Sequence, residues 1–279
     1  MSTTTPLPSS IAEDVKHALN EDIGSGDITA ALIPEAQHST ATVICRDAAT
    51  ISGCAWFEEV FHQLDKHVKI DWLVADGQQV IPEQALCTLQ GPSRSILSGE
   101  RSALNFLQTL SATATLTRHY VGTIAGTNCK ILDTRKTLPG LRLAQKYAVK
   151  CGGGENHRKG LYDMILIKEN HIMAAGSIAA AVEQARKLSP KVQVEVEVEN
   201  LDELQQAIAS KADIVMLDNM DNQMMREAVS IAASQCKLEA SGGVNLNTIR
   251  SIAETGVDFI SVGLLTKDIK AVDLSMRFR

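Results

Sequence analysis

Aromatic residues are scarce in this chain, and so are the features that mark a membrane protein, a disulfide scaffold or a nucleic-acid binder. Only 4% of the 279 residues are Phe, Tyr or Trp. A core must therefore be packed from Ala, Val, Ile and Leu, the mix expected where strands are covered by helices on both faces. Without an aromatic stacking platform, and with a net charge of −6, the chain is poorly suited to nucleic acid. The six cysteines at 45, 54, 87, 129, 151 and 236 form no C-x-x-C pair and show no zinc spacing with histidine. They read as reduced thiols in a cytoplasmic protein, not as a disulfide framework or structural metal site. No uninterrupted apolar run approaches the length of a membrane span. Met1 to Ser10, rich in Thr, Pro and Ser, lacks the charged and apolar parts of a signal peptide and reads as a frayed arm.

What is present is a local reversal of charge. From Asp133 to His171 eight Lys and Arg stand against four acids, a net of +4 that leaves the remainder at −10. Clustered cations in an acidic chain suit a small, highly charged anion, because they focus the field in a cleft while the exterior repels polyanions. Arg135 and Lys136 follow the apolar run Ile131-Leu132, and Lys168 follows Met164 to Ile167, so each cation is expected at the end of a buried strand. Between them Gly152-Gly153-Gly154 precedes Asn156-His157-Arg158, and glycines allow backbone amides to approach an anion. Arg142, Lys146 and Lys150, spaced by four, read equally well as a solvated basic helix face. Cys151 has no paired base nearby in sequence and reads as packing.

The ordered set TRKT, GGG-x-NHR and LIK-x-NHI resembles the quinolinate phosphoribosyltransferase family. EDIGSGDIT near the N-terminus, GERSALNFLQ at Glu100 to Gln108, VEVEVEN at Val194 to Asn200, MLDN at Met216 to Asn219 and SGGVN at Ser241 to Asn245 extend the likeness over nearly the whole chain. Leu138 and Glu169 depart from the family pattern and are given no essential role.

Taken in order, Ser9 or Ser10 can cap a helix from Ile11 to about Asn20, and the glycines of GSGD end it; that loop lacks the lysine of a phosphate-binding loop. Short β-prone runs follow at Thr40 to Arg46, Val68 to Val74 and Ala85 to Leu89, with a helix from Cys54 to Leu64. Val74 to Gly91 looks like the hairpin pair of a lipoyl carrier but holds no lysine, so the likeness is read as architectural only. A long helix is expected from Ser98 to about Ala125, with Leu104, Leu107, Leu110 and Ala114 on one face. Arg101 would lie in its first turn, where the helix dipole disfavours a cation, and a broken local rule marks a functional candidate. From Lys130 a strand–helix unit repeats, the last four strands a little over twenty residues apart as in a parallel barrel. The expected fold class is α/β: a smaller N-terminal α+β domain over residues 1–112, then a β/α barrel over 113–279, its last ten residues or so returning to the first domain. Six strands are legible, and the resemblance implies an open or irregular, TIM-like barrel.

Polar residues follow each strand, where barrel enzymes build their sites. Glu195, Glu197 and Glu199 alternate with Val194, Val196 and Val198, which puts the glutamates on the inner face with Lys136 and Lys168 as natural partners. The resemblance implies transfer of phosphoribosyl from phosphoribosyl pyrophosphate to quinolinate with loss of carbon dioxide, in pyridine-nucleotide biosynthesis. It implies Arg101, Arg135, Arg158, His157 and Lys168 as the cations for two adjacent carboxylates, with Thr134 and Lys136 beside them. Lys136, Lys168, Glu197 and Asp218 would serve the reaction itself, the two acids beneath the ribosyl ring as it gains positive charge. Ser241, Gly242, Gly243, Ser261, Val262 and Gly263 would hold the 5′-phosphate. Magnesium is expected through the substrate phosphates, with no fixed protein ligand set and with Glu197 and Asp218 as the carboxylates in reach. A homodimer in which Arg101 enters the partner's site is the expected assembly. Two other readings remain at this point: a related transferase for another anionic heterocycle, and a non-catalytic sensor of phosphorylated metabolites.

Overall fold

The computed structural model describes residues 6–278, so the arm expected at Met1 to Ser10 lies partly outside the described residues. The chain begins α1 Ile11–Asp22, β1 His38–Cys45, β2 Ala49–Thr50, α2 Cys54–Leu64, β3 Lys69–Trp72, β4 Gln79–Val80, β5 Gln84–Pro92 and α3 Ser93–Thr123. It continues β6 Lys130–Leu132, α4 Arg142–Cys151, β7 Ile165–Ile167, α5 Glu169–Ala175, α6 Ile178–Leu188, β8 Val194–Val198, α7 Leu201–Ala209 and β9 Ile214–Asp218. The last elements are α8 Asn222–Ala232, β10 Lys237–Ser241, α9 Ile249–Ala253, β11 Phe259–Ser261, α10 Leu264–Lys267 and β12 Leu274–Phe278. No helix among the described residues is long and apolar enough to cross a membrane.

Internal contacts divide the chain into two units, each assembled from separated stretches of chain. The first unit takes the N-terminal part through Arg118, Thr137–Gly153, and the chain from Leu265 onward; the second takes His119–Lys136 and Gly154–Leu264. The cause is apolar burial. Ala144, Tyr147 and Ala148 of α4 sit in the same cluster as Trp56, Leu104, Leu107 and Leu110, while Leu274 brings β12 antiparallel onto β1.

In the first unit an antiparallel sheet has the order β12-β1-β5-β3, and β2 pairs with β4 as a separate ribbon. Because β4 pairs with β2 and not with β5, Val74 to Gly91 does not form the hairpin of a carrier domain. Helix α2 starts at Gly53, whose φ of +112° suits glycine, and Asp76 Oδ1 accepts from the amides of Gly53 and Cys54 in place of a capping side chain. Its buried Trp56, Phe57, Val60 and Phe61 form one helical stripe. Helix α3 begins at Ser93, so Arg101 lies more than two turns inside it and the dipole argument for Arg101 does not hold. Arg101 is exposed, and Leu104, Leu107, Leu110 and Ala114 are buried as their spacing predicts.

The second unit is a six-stranded parallel sheet in the order β6-β11-β10-β9-β8-β7. Val194, Val196 and Val198 of β8 are completely buried on the helix-covered side, each contributing roughly 1.5–3 kcal/mol. Ser177, Asn200 and Asp221 cap α6, α7 and α8 by accepting amide hydrogens of the first turn. At the β6 edge a single bridge joins Leu132 to Glu155. Two residues on, the His157 ring reaches Glu195 of β8 and Glu239 of β10. A side chain beside β6 can meet those strands only if the sheet curls on itself, so the unit is a β/α barrel left irregular between β6 and β7.

Candidate active site

Alternation along the strands arranges the inner face of the second unit in layers. Lys130, Ile214, Lys237 and Phe259 open the strands. Leu132, Glu195, Met216, Glu239 and Ser261 follow two residues or less further along their strands on the same face. Thr134, Lys168, Glu197, Asp218, Ser241 and Gly263 stand at or just past the C-terminal ends.

At those ends, the Lys168 ammonium pairs with Glu197. Lys168 also precedes α5; the His171 ring accepts the Lys168 amide at 3.0 Å and secures the helix start. Asp218 is half-buried and accepts from Asn219 Nδ2 at 2.8 Å. Thr134 Oγ1 accepts the Lys136 amide at 3.1 Å, and the Lys136 side chain runs over Gly263, where an added Cβ would meet its Cδ at 3.0 Å. Arg135 is exposed and Arg158 half-buried, with Arg158 Nη1 donating to the Met164 carbonyl at 3.4 Å. Burial, and then the charge of Arg135, lower the pKa of the Arg158 guanidinium. A carboxylate bound between these two like charges would offset their repulsion. Glu199 is exposed beyond the strand, its amide held by Glu203 Oε2.

The loops expected to hold a phosphate divide in role. Gly242 and Gly243 are exposed with φ of +100° and +60°, and an added Cβ at Gly242 would run into the Asn219 side chain. No hydrogen bond among the described residues takes up the amides of Gly242, Gly243 or Gly263. By contrast, Val262 donates its amide to the Leu132 carbonyl at 2.9 Å, and Ser261 is buried with its hydroxyl beside Glu239. Those two groups are spent on the barrel, which narrows the candidate phosphate donors to the glycine amides and Ser241.

Three sequence signals are structural in this fold. The Gly152 and Gly153 amides bond to the Ala148 and Lys150 carbonyls and close α4, and an added Cβ at Gly152 would strike the Ala114 carbonyl and Thr117 of α3. The triplet therefore serves a helix end and a close packing contact, not an anion. Lys146 is buried, Arg142 bonds through Nε to Thr137 Oγ1, and the row spaced by four is not a solvated face. Cys151 is buried, its thiol pushed up to about 11 chiefly by burial, and all six cysteines are free.

Below the strand ends lies a cluster that the spacing of charges did not reveal. Asp133, completely buried, accepts from Asn156 Nδ2 at 2.6 Å and from the His157 amide at 3.0 Å. These bonds aim the His157 ring at two fully buried carboxylates: its Nε2 stands 2.9 Å from Glu195 Oε2 and 3.6 Å from Glu239 Oε2. His157 Nδ1 accepts the Arg158 amide at 2.7 Å. Both ring nitrogens thus face groups of the protein, and His157, expected among the substrate cations, is turned into the barrel. Ligand atoms of His157, Glu195 and Glu239 all lie within 4.8 Å of one another, a spacing compatible with a metal ion. A cavity of about 290 Å³ opens beside them, lined at the strand starts by Lys130, Ile214, Lys237 and Phe259 and also by Arg158 and Glu239.

Comparison with known proteins agrees with this layout. Residues 27–111 match the N-terminal domain and residues 113–277 the C-terminal domain of quinolinate phosphoribosyl transferase. A Bacillus subtilis protein named "Probable nicotinate-nucleotide pyrophosphorylase [carboxylating]" is 42% identical, over 94% of this chain and 91% of its own. A quinolinate phosphoribosyltransferase (decarboxylating) of Nicotiana tabacum is 39% identical, over 96% and 82% of the two chains. The solved nicotinate-nucleotide pyrophosphorylase of Francisella tularensis superposes with a TM-score of 0.94 at 51% identity, covering all of both chains. The chain belongs to the quinolinate phosphoribosyltransferase family.

Proposed function

We propose that the C-terminal strand ends of the second unit transfer phosphoribosyl from phosphoribosyl pyrophosphate to quinolinate, releasing pyrophosphate and carbon dioxide and forming nicotinate mononucleotide. The observation that carries this reading is the Lys168–Glu197 ion pair at the strand ends, together with Arg135, exposed just past β6, whose charge repels that of Arg158. A pyridine dicarboxylate would relieve that repulsion, and guanidinium forks suit its carboxylates. Departure of pyrophosphate leaves positive charge on the ribosyl ring, which Glu197 and Asp218 would stabilise. Lys136, extended over Gly263, would meet donor phosphate, with the Gly242, Gly243 and Gly263 amides beside it. The positive ring nitrogen formed by transfer then stabilises the carbanion left as carbon dioxide departs, until that carbon takes up a proton from solvent, so the chain need only orient the ring.

Magnesium fits this site through Asp218, the strand-end carboxylate not already paired with a lysine. Bound there with the substrate phosphates, it would offset the charge of the leaving pyrophosphate. The working assembly would be a homodimer with Arg101 offered to the partner's site, in the cytoplasm, where free thiols such as these persist. The decisive assay is release of labelled carbon dioxide from carboxyl-labelled quinolinate. Release that requires phosphoribosyl pyrophosphate is expected, and no release above the donor-free control would refute the reading.

A further inference from the structure

The proposed chemistry leaves Glu195, Glu239 and the His157 ring without a task. The His157 amide donates to Asp133, and the ring's own contacts decide its protonation pattern. Nδ1 accepts the Arg158 amide, so the ring proton must sit on Nε2, facing Glu195 at 2.9 Å. The four oxygens of Glu195 and Glu239 are fully buried, and among the described residues none receives a well-directed hydrogen bond. Two carboxylates in such a place cannot both stay ionised; a proton or a cation must lie between them. Burial first, and then the charge of Glu195, raise the pKa of Glu239 well above the ordinary range, with Asp133 adding and the Ser261 hydroxyl opposing. Arg158 senses the Glu195 charge as an attraction.

Resting on the reading that Arg158 receives quinolinate, we propose that Glu239 and Glu195 are positioning residues for Arg158, acting through the His157 imidazole. Glu239 stays a neutral acid, so the pair holds one negative charge. Glu195 faces His157 Nε2–H at 2.9 Å and balances the Arg158 guanidinium. His157 Nδ1 then fixes the backbone at which Arg158 branches. A second negative charge there would draw the guanidinium inward and cancel a cation that the substrate needs. A proton fits better than a metal ion, because the His157 nitrogen nearest the acids is the one that carries hydrogen.

The test compares the parent with E239Q, E239A and E195Q in three measurements: calorimetric quinolinate affinity without the donor, KM for each substrate, and the infrared spectrum. E239Q copies the neutral acid in shape and charge and is expected to keep quinolinate affinity within about twofold, whereas E239A and E195Q weaken it about tenfold. The KM for phosphoribosyl pyrophosphate should hardly move in any of them. The parent spectrum should contain the carbonyl stretch of a neutral carboxylic acid that E239Q lacks. Equal losses in E239Q and E239A, a parallel rise in the donor KM, a missing band, or a stoichiometric divalent metal released by E239Q would each overturn the proposal. A parent that neither binds quinolinate nor releases carbon dioxide from it would defeat the substrate reading itself, a result these variants cannot mimic.

Discussion

Glu197 and Asp218 stand at neighbouring strand ends, yet they are held differently: one is paired with an ammonium, the other accepts only from a side-chain amide. If both act on the ribosyl cation, Glu197→Ala and Asp218→Ala should each cut turnover about a hundredfold, roughly 3 kcal/mol of transition-state stabilisation, with little change in quinolinate affinity. Steady-state kinetics with separate binding measurements decide this; lost quinolinate affinity at unchanged turnover would move the acids to the acceptor pocket. Glu197→Ala should also raise the magnesium requirement less than Asp218→Ala. The face these acids occupy was legible in the sequence, since alternation with three valines fixes it. Depth was not. Period two places Glu195, Glu197 and Glu199 on one side but cannot tell that one is buried against His157, one is paired with Lys168 and one is exposed. Glu239 carried no signal at all, because a lone acid in the run Lys237 to Ala240 looks like a solvated strand residue until β8 and the His157 segment curl around it.

Helices were legible where apolar spacing runs over several turns, as in α2, which spans Cys54–Leu64 as expected, and obscure where a helix is short or continues straight from a strand. Helix α5 is seven residues closed by a histidine reaching back, too short for periodicity to register. Helix α3 begins at Ser93, five residues before the expected Ser98, because β5 runs straight into the helix. The GSGD loop is the clearest case of a motif with a structural use. Asp27 Oδ1 accepts the amides of Thr29 and Ala30, and its Oδ2 accepts the Ser98 hydroxyl of α3 at 2.8 Å. The Ala30 amide, followed by Ser98, holds the Asp27 carboxyl below its ordinary value of 3.8. A folded-state pKa below the unfolded one gives stability that is present above pH 3.8 and is lost as pH falls through the folded value. Asp27→Asn should therefore lower the melting temperature by a few degrees at pH 7, and the gap should close in acid. Melting curves at several pH values check it, and a gap that stays constant would mean that the charge of Asp27 is irrelevant to its role.

At the scale of the whole molecule, the two units are each assembled from separated stretches of chain, which sequence order alone does not announce: α4 and β12 join the first unit through Ala144, Ala148 and Leu274. The strand-end cations of the second unit include Arg135, Arg158 and Lys168, while Arg101 is an exposed residue of α3 in the first. Whether Arg101 serves its own chain or a partner is open to a direct count. In a dimer of two-fold symmetry, mixing equal amounts of an Arg101→Ala chain and an Arg135→Ala chain by reversible dissociation gives about half hybrids. If Arg101 acts across the interface, each hybrid regains one intact site, built from the Arg135 of one chain and the Arg101 of the other. Activity should then recover to about a quarter of the parent value, since half of the dimers have half of their sites restored. If Arg101 acts within its own chain, every site in the hybrid lacks one arginine and nothing is recovered. Subunit exchange, verified by differently tagged chains, makes the two outcomes unambiguous: recovery near a quarter establishes a shared site, and persistent inactivity in proven hybrids rejects it.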